Sequence, residues 1–211
     1  MSEPQQPQLE QIDRQISAAR RQKLAFESRR DFLKFVQFTM PDPEDPDDAT
    51  RSAFQVARHH AGIANALERV ERRKIKRLIV TLPPRHGKSE MVSRRFIPWL
   101  LGKHPAENVI FATYNEDFAN DFGSDCRSVM TSPQFLQVFP DFEFRQGNIS
   151  KGKLQTEKGG AAFFVGRGGS ITGRGGCVIL DDPIKDAVEA QSPTLRAVSY
   201  THLTLPTILR V

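Results

Sequence analysis

Apolar residues in the first forty positions return at helical spacing. From Gln8 to Met40, Ile12, Ile16, Leu24, Phe32, Leu33, Phe35 and Val36 recur near a 3.6-residue period, with Arg and Lys between them, which predicts a helical segment. PDPEDPDD, Pro41 to Asp48, ends it, because its prolines lack amide donors and its carboxylates repel one another. The prolines and the missing glycine argue against a calcium loop there, so a solvated turn is expected. Thr50 to Lys74 carries a second helical stripe of Phe54, Ala57, Ile63, Ala64, Leu67 and Val70. Its basic end, ERVERRKIKR, reads as a solvated face with cations favoured by the helix dipole. Beyond it the period changes. RLIVTL (Arg77 to Leu82), NVIFATY (Asn108 to Tyr114) and CVILDD (Cys177 to Asp182) are short continuous apolar runs, as strands of a buried parallel sheet carry. Ser89 to Leu101 and Glu116 to Met130 read as helices, the second with Phe118, Ala119, Phe122, Cys126 and Val129 on one face. After Pro133 come short strands and glycine: KLQTE, GGAAFFVG, RGGSITGRGG. The alternation predicts an α/β fold, a mainly parallel sheet flanked by helices. A helical extension is expected over residues 1–76 and the core over 77–197.

The last fourteen residues, VSYTHLTLPTILRV, follow a polar segment without turn logic. Val198 to Thr207 back-translates into the transposase adapter used in sequencing-library preparation. The expectation is that the natural frame is interrupted near Ala197, with a native edge strand as the alternative; 198–211 is left out of fold reasoning.

The 211 residues are 38% hydrophobic and 26% charged, which suits a folded chain, and the formal net charge of +5 permits an anionic partner. The two cysteines, Cys126 and Cys177, form neither a disulfide framework nor a metal cage, and a reducing compartment is expected. MSEPQQPQLEQ lacks the apolar core of a signal peptide, and no apolar run reaches membrane-spanning length. A soluble, cytoplasmic protein is the expectation.

TLPPRHGKSE, Thr81 to Glu90, resembles the phosphate loop G-x-x-x-x-G-K-[ST] with Leu82 in the first glycine slot. Such a loop lies between a buried strand and a helix, where backbone amides and the helix dipole attract phosphate. Gly87 lets the backbone approach the anion, Lys88 reaches the β and γ phosphates, and the Ser89 hydroxyl suits Mg²⁺. Pro83 and Pro84 remove two donors, so His86 to Ser89, with Arg85, must hold the anion. Phosphoryl transfer also needs one carboxylate for Mg²⁺ and one to position the attacking water. Asp181 and Asp182 supply both at a strand's C-terminal end, Asp181 for the metal and Asp182 for the nucleophile. A strand end with a helix cap is the alternative for this pair.

LPPRHGKSEMVSRRFIPWLLGKHP, VIFATYNEDFANDFGSDCR, GGSITGRGG and CVILDDPIKD together resemble the ATPase domain of the large terminase subunit of tailed bacteriophages, over about Phe32 to Leu195. In that family the phosphate loop commonly lacks its first glycine and carries an Arg before H-G-K-S. The resemblance implies a P-loop ATPase using ATP and Mg²⁺ to drive double-stranded DNA through a portal protein into an empty capsid. A small terminase subunit, a homo-oligomeric ring and the bacterial host cytoplasm go with it. Lys88 and Ser89 match the phosphate-loop pair, Arg85 the arginine that senses the γ phosphate, and Asp181 and Asp182 the magnesium and catalytic carboxylates. Asp182 stands where many relatives carry Glu, one methylene longer. The family's coupling motif and nuclease domain would follow the DDP segment; neither lies within these 211 residues, and DNA cleavage is not expected.

Two other functions fit the same residues: a helicase-like ATPase, and a non-hydrolysing DNA or portal module, basic through Glu71 to Arg77. Thr113, Tyr114 and Asn115 suit either a nucleotide-facing role or an ordinary strand end. Arg167 and Arg174 suit a DNA- or phosphate-contacting loop or a hairpin. His59 and His60 are expected on a helix surface, and Trp99, the phenylalanines and Cys177 in the core.

Overall fold

The computed structural model describes residues 5–150, 152–166 and 176–182. Arg167, Arg174 and the segment from 183 onward, with the adapter-like tail, lie outside them. The chain forms a mixed α/β fold. In chain order it runs α1 (Gln5–Ser28), α2 (Phe32–Phe38), α3 (Arg58–Glu71), a π-helical turn (Glu90–Arg95), α4 (Phe96–Lys103), β1 (Asn108–Thr113), α5 (Glu116–Met130), α6 (Pro133–Val138), β2 (Phe144–Ser150), β3 (Lys153–Thr156), β4 (Ala161–Gly166) and β5 (Cys177–Leu180).

The five strands among the described residues form one sheet in the order β2-β3-β4-β1-β5. β1 pairs in parallel with β4 and β5, whereas β2–β3 and β3–β4 are antiparallel. The sheet is therefore mixed, not mainly parallel as the sequence suggested. The short links between β2, β3 and β4 allow hairpins, and a parallel return would need a long crossover. Its parallel half, β4-β1-β5, forms the edge beside the candidate site.

Four sequence expectations need correction. The segment Gln8 to Met40 is two helices, because Asp31 accepts the Lys34 amide at 2.9 Å and starts α2 afresh. Ile12 and Ile16 lie exposed on the part of α1 that runs beyond its packing partners, α2 and α6. The helix read over Thr50 to Lys74 begins only at Arg58; upstream, Ser52 bridges to Pro41 and its hydroxyl donates to the Gln37 and Met40 carbonyls. RLIVTL joins no strand ladder among the described residues. Leu78, Val80 and Leu82 are half-buried against the core while Ile79 is 74% exposed, so one face packs and the other is open. The fourth is Pro133–Val138, which is helical: the Ser132 hydroxyl accepts the Phe135 amide and Pro133 opens the first turn.

The main cluster of buried apolar residues runs from Ala25 to Ile179, joining α2, α3 and α4 to the sheet and to α5, and a smaller one holds Ile110, Val165 and Val178 on the sheet. Its centre is aromatic. Phe32 lies 5.6 Å from Phe96, edge to face, and 5.2 Å from Trp99, whose indole N–H donates to the Ser28 carbonyl at 3.0 Å. The acidic segment after α2 is a turn, as expected. Asp48 accepts the amide and hydroxyl of Thr50, and Arg51 pairs with Asp42 at 2.7 Å. The basic end of α3 is partly self-neutralised: Arg72 pairs with Glu68 and Arg73 with Glu107. No helix among the described residues is long and apolar enough to cross a membrane.

Candidate functional site

The loop after Val80 has a strained backbone. Arg85 sits at φ +64° and Gly87 at φ +78°. Left-handed geometry suits Gly87 but costs Arg85 about 1 kcal/mol or more, and non-glycine residues held there cluster at functional sites. Helical backbone begins at Lys88, so the loop leads straight into a helix N-terminus, as the sequence predicts. The cleft beside it measures about 480 Å³ and is lined by Pro84, Arg85, Gly87, Lys88, Ser89 and Asp182 among others. That volume falls within the range of small-molecule sites.

Two motifs 93 positions apart in the chain meet in this cleft. Lys88 Nζ lies 3.0 Å from Asp181 Oδ1 and 3.0 Å from Asp182 Oδ1. Burial opposes the charge on Lys88, yet these two carboxylates outweigh it and raise its pKa above the ordinary lysine value. Asp181 is 5% exposed at the end of β5, with its amide donating to the Ala112 carbonyl of β1. Asp182 is exposed and stands at φ +44°, where the chain turns off the sheet. Ser89 is half-buried and its hydroxyl has no hydrogen-bond partner among the described residues. Arg85 is exposed and likewise has none. Lys88, Asp181 and Asp182 thus converge, Gly87 and Ser89 border them, and Arg85 stands on the cleft wall.

Ser93 is a residue the sequence reading missed. Its buried hydroxyl donates to Asp181 Oδ2 at 3.0 Å, so Asp181 is held between Ser93 on one oxygen and Lys88 on the other. The available signal was a serine four residues after Ser89, among Met91, Val92, Phe96 and Ile97 on a buried face. The π turn carrying Ser93 has a local cause in Pro98, which has no amide for the Arg94 carbonyl. The Cys126 thiol covers this break, with Sγ 3.5 Å from the Ser93 oxygen and 3.9 Å from the Arg94 oxygen.

His86 was expected among the anion-holding residues. Its side chain is exposed, with Nδ1 2.8 Å from the Pro84 carbonyl, and its own carbonyl is turned back toward α3. There it meets Nε2 of His59 and of His60, each at 3.2 Å. His60 was expected on a helix surface, but it is buried, with its ring 4.7 Å from Phe54. Asn115 caps α5 by accepting the Asp117 amide at 2.7 Å, and the Tyr114 ring lies 5.5 Å from Phe118 in a tilted arrangement. Thr113 is buried, and its hydroxyl has no partner among the described residues. Among the described residues no group of three or more His, Cys, Asp or Glu side chains is arranged to hold a metal.

Comparison with family models, with curated proteins and with solved structures gives no match to this chain.

Proposed function

We propose that this cleft is the Mg²⁺–ATP site of a P-loop ATPase, and that the chain is the ATPase part of a phage terminase large subunit that packages double-stranded DNA. The observation carrying the nucleotide reading is the convergence of Lys88 with Asp181 and Asp182, beside a glycine loop that opens a helix. The packaging task rests on the four motifs, in order, that resemble the terminase family, and so do the DNA, the portal and the small subunit as partners. A site and its task are separate claims.

The residues suit magnesium. Ser89 offers a hydroxyl with no partner among the described residues and Asp181 a carboxylate oriented by Ser93. Magnesium takes one or two carboxylates and fills the rest of its shell with phosphate oxygens and water, so a larger acidic cluster is not required. Bound there, the ion would neutralise charge on the β and γ phosphates. In this reading Lys88 exchanges its two carboxylates for phosphate oxygens. That frees Asp182 to accept a proton from the attacking water, and Arg85 faces the γ phosphate across the cleft.

The test is MgATP binding and steady-state hydrolysis by the wild-type chain and two variants. Lys88→Ala should lose binding by tenfold or more, as expected of the lysine that meets the phosphates. Asp182→Asn should bind normally and hydrolyse about 100-fold more slowly, the scale of a missing general base. A wild-type chain that does not bind MgATP, or a Lys88→Ala variant that binds equally well, overturns the site.

A further inference from the structure

We propose that His60, on the first turn of α3, is a positioning residue that latches the Gly87 loop in its anion-accepting shape. The nucleotide reading supplies the ligand for this loop; the latch itself rests on contacts that do not depend on it.

The tautomer of His60 follows from its neighbours. The Ala57 amide points at Nδ1 from 2.9 Å, so Nδ1 is the acceptor and carries no proton. The ring hydrogen is therefore on Nε2, which faces the His86 carbonyl at 3.2 Å. One ring thus caps α3 with one nitrogen and holds the loop with the other. Both bonds together need a neutral ring. Burial is the main influence and lowers the pKa of His60, with the His86 and Gln55 carbonyls opposing and the His59 and His86 imidazoles adding to the fall.

The latch sets the direction of the loop's amides. A trans peptide is planar, with its carbonyl and its N–H pointing opposite ways. Holding the His86 oxygen against α3 aims the Gly87 N–H away from α3. No α3 residue lines the cleft, whereas Gly87 does. The ring sits so close that a Cβ at residue 87 would lie 2.9 Å from His60 Nε2, and φ there is +78°. Glycine is thus required by the latch as well as by the backbone. His59 reaches the same oxygen at 3.2 Å but is more exposed than His60 and lacks the Ala57 anchor.

Two substitutions separate the two nitrogens. His60→Asn keeps an acceptor for the Ala57 amide but is too short to reach the His86 carbonyl. His60→Gln places an N–H near the Nε2 position. In the full chain, hydrogen exchange of the Met91 amide, which donates to the Gly87 carbonyl at 3.0 Å and so reads the loop's position, MgATP affinity and the thermal midpoint are measured together. His60→Asn should speed exchange about fivefold and weaken MgATP about fivefold, the effect of one ordinary hydrogen bond, with little change in midpoint. His60→Gln should return both within about twofold, and His59→Ala should do less than His60→Asn. Exchange in His60→Asn equal to wild type, or equal losses in Asn and Gln that follow the melting midpoint, overturns the latch. If wild type binds no MgATP, the nucleotide reading fails and the exchange measurement still decides the latch.

Discussion

Removing the Lys88 amine should destabilise the protein even with no nucleotide present. Lys88 is the cation that meets Asp181, whose carboxylate is buried and whose other oxygen is held by a neutral hydroxyl. Taking one partner from a fully buried pair costs about 3–5 kcal/mol, while a fully exposed pair contributes about 1 kcal/mol or less. This pair lies between those limits. The Lys88 side chain is 28% exposed, and Asp182, its second partner, is 66% exposed and adds little. Lys88→Ala should therefore lose about 1–2 kcal/mol, nearly all of it through Asp181. Urea unfolding reads this directly, because the protein has one tryptophan, Trp99, and it is buried in the core. The control is a double-mutant cycle with Asp181→Asn, which removes the charge and keeps the shape. The double variant should be more stable than the two single losses added together, by about 1 kcal/mol. Lys88→Ala as stable as wild type, or strictly additive losses, would refute the view that Lys88 offsets the buried charge of Asp181.

Further outcomes follow from buried groups away from the cleft. Burial raises the pKa of Glu71, but hydrogen bonds from Lys103 at 2.7 Å and His104 at 2.9 Å outweigh it and hold the carboxyl below its ordinary value. A depressed folded-state pKa adds stability above the unfolded value of 4.5, and that stability is lost as pH falls through the folded value. Glu71→Gln should thus cost about 1–2 kcal/mol at pH 7 and progressively less as pH falls below 4.5, checked by urea unfolding across that range. Burial pushes the Cys177 thiol up to about 12 and the Cys126 thiol higher still, and neither is in a disulfide. A thiol-disulfide reagent should find no reactive thiol in the native protein and two after denaturation, because the thiolate is the reacting form. Rapid labelling of the native chain would show that the core opens readily.

Some of this molecule is local, and those parts were legible. Helix α5 matches the predicted Glu116 to Met130 because its apolar stripe, the Asn115 cap and the acidic first turn all act within a few residues. The same holds for β1, for β5 and for the helix that begins in the H-G-K-S motif, where a short apolar run or a loop residue states its own environment. The candidate residues Gly87, Lys88, Ser89, Asp181 and Asp182 were identified by chemical type and order alone; Gly87, Lys88, Ser89 and Asp182 line one cleft, and the buried Asp181 meets it through Lys88.

What the chain could not state locally is which distant group each residue meets. RLIVTL holds an apolar run much like β5, yet a strand is defined by a neighbour's ladder, and no described strand pairs with it. The antiparallel β2 and β3 depend on turn geometry and pairing, neither of which is written in a period of hydrophobicity. Asp31 divides the first helical stripe because its side chain captures an amide three residues on, although its neighbours carry the periodicity through. Ser93 and His60 are the sharpest cases. A serine on an apolar face and a histidine on a first turn are ordinary until the fold sets one against Asp181 and the other against the His86 carbonyl. Periodicity decided which faces would be buried; packing decided which polar groups met there, because hydrogen bonds between residues 26 or 88 positions apart exist only after the chain has closed on itself.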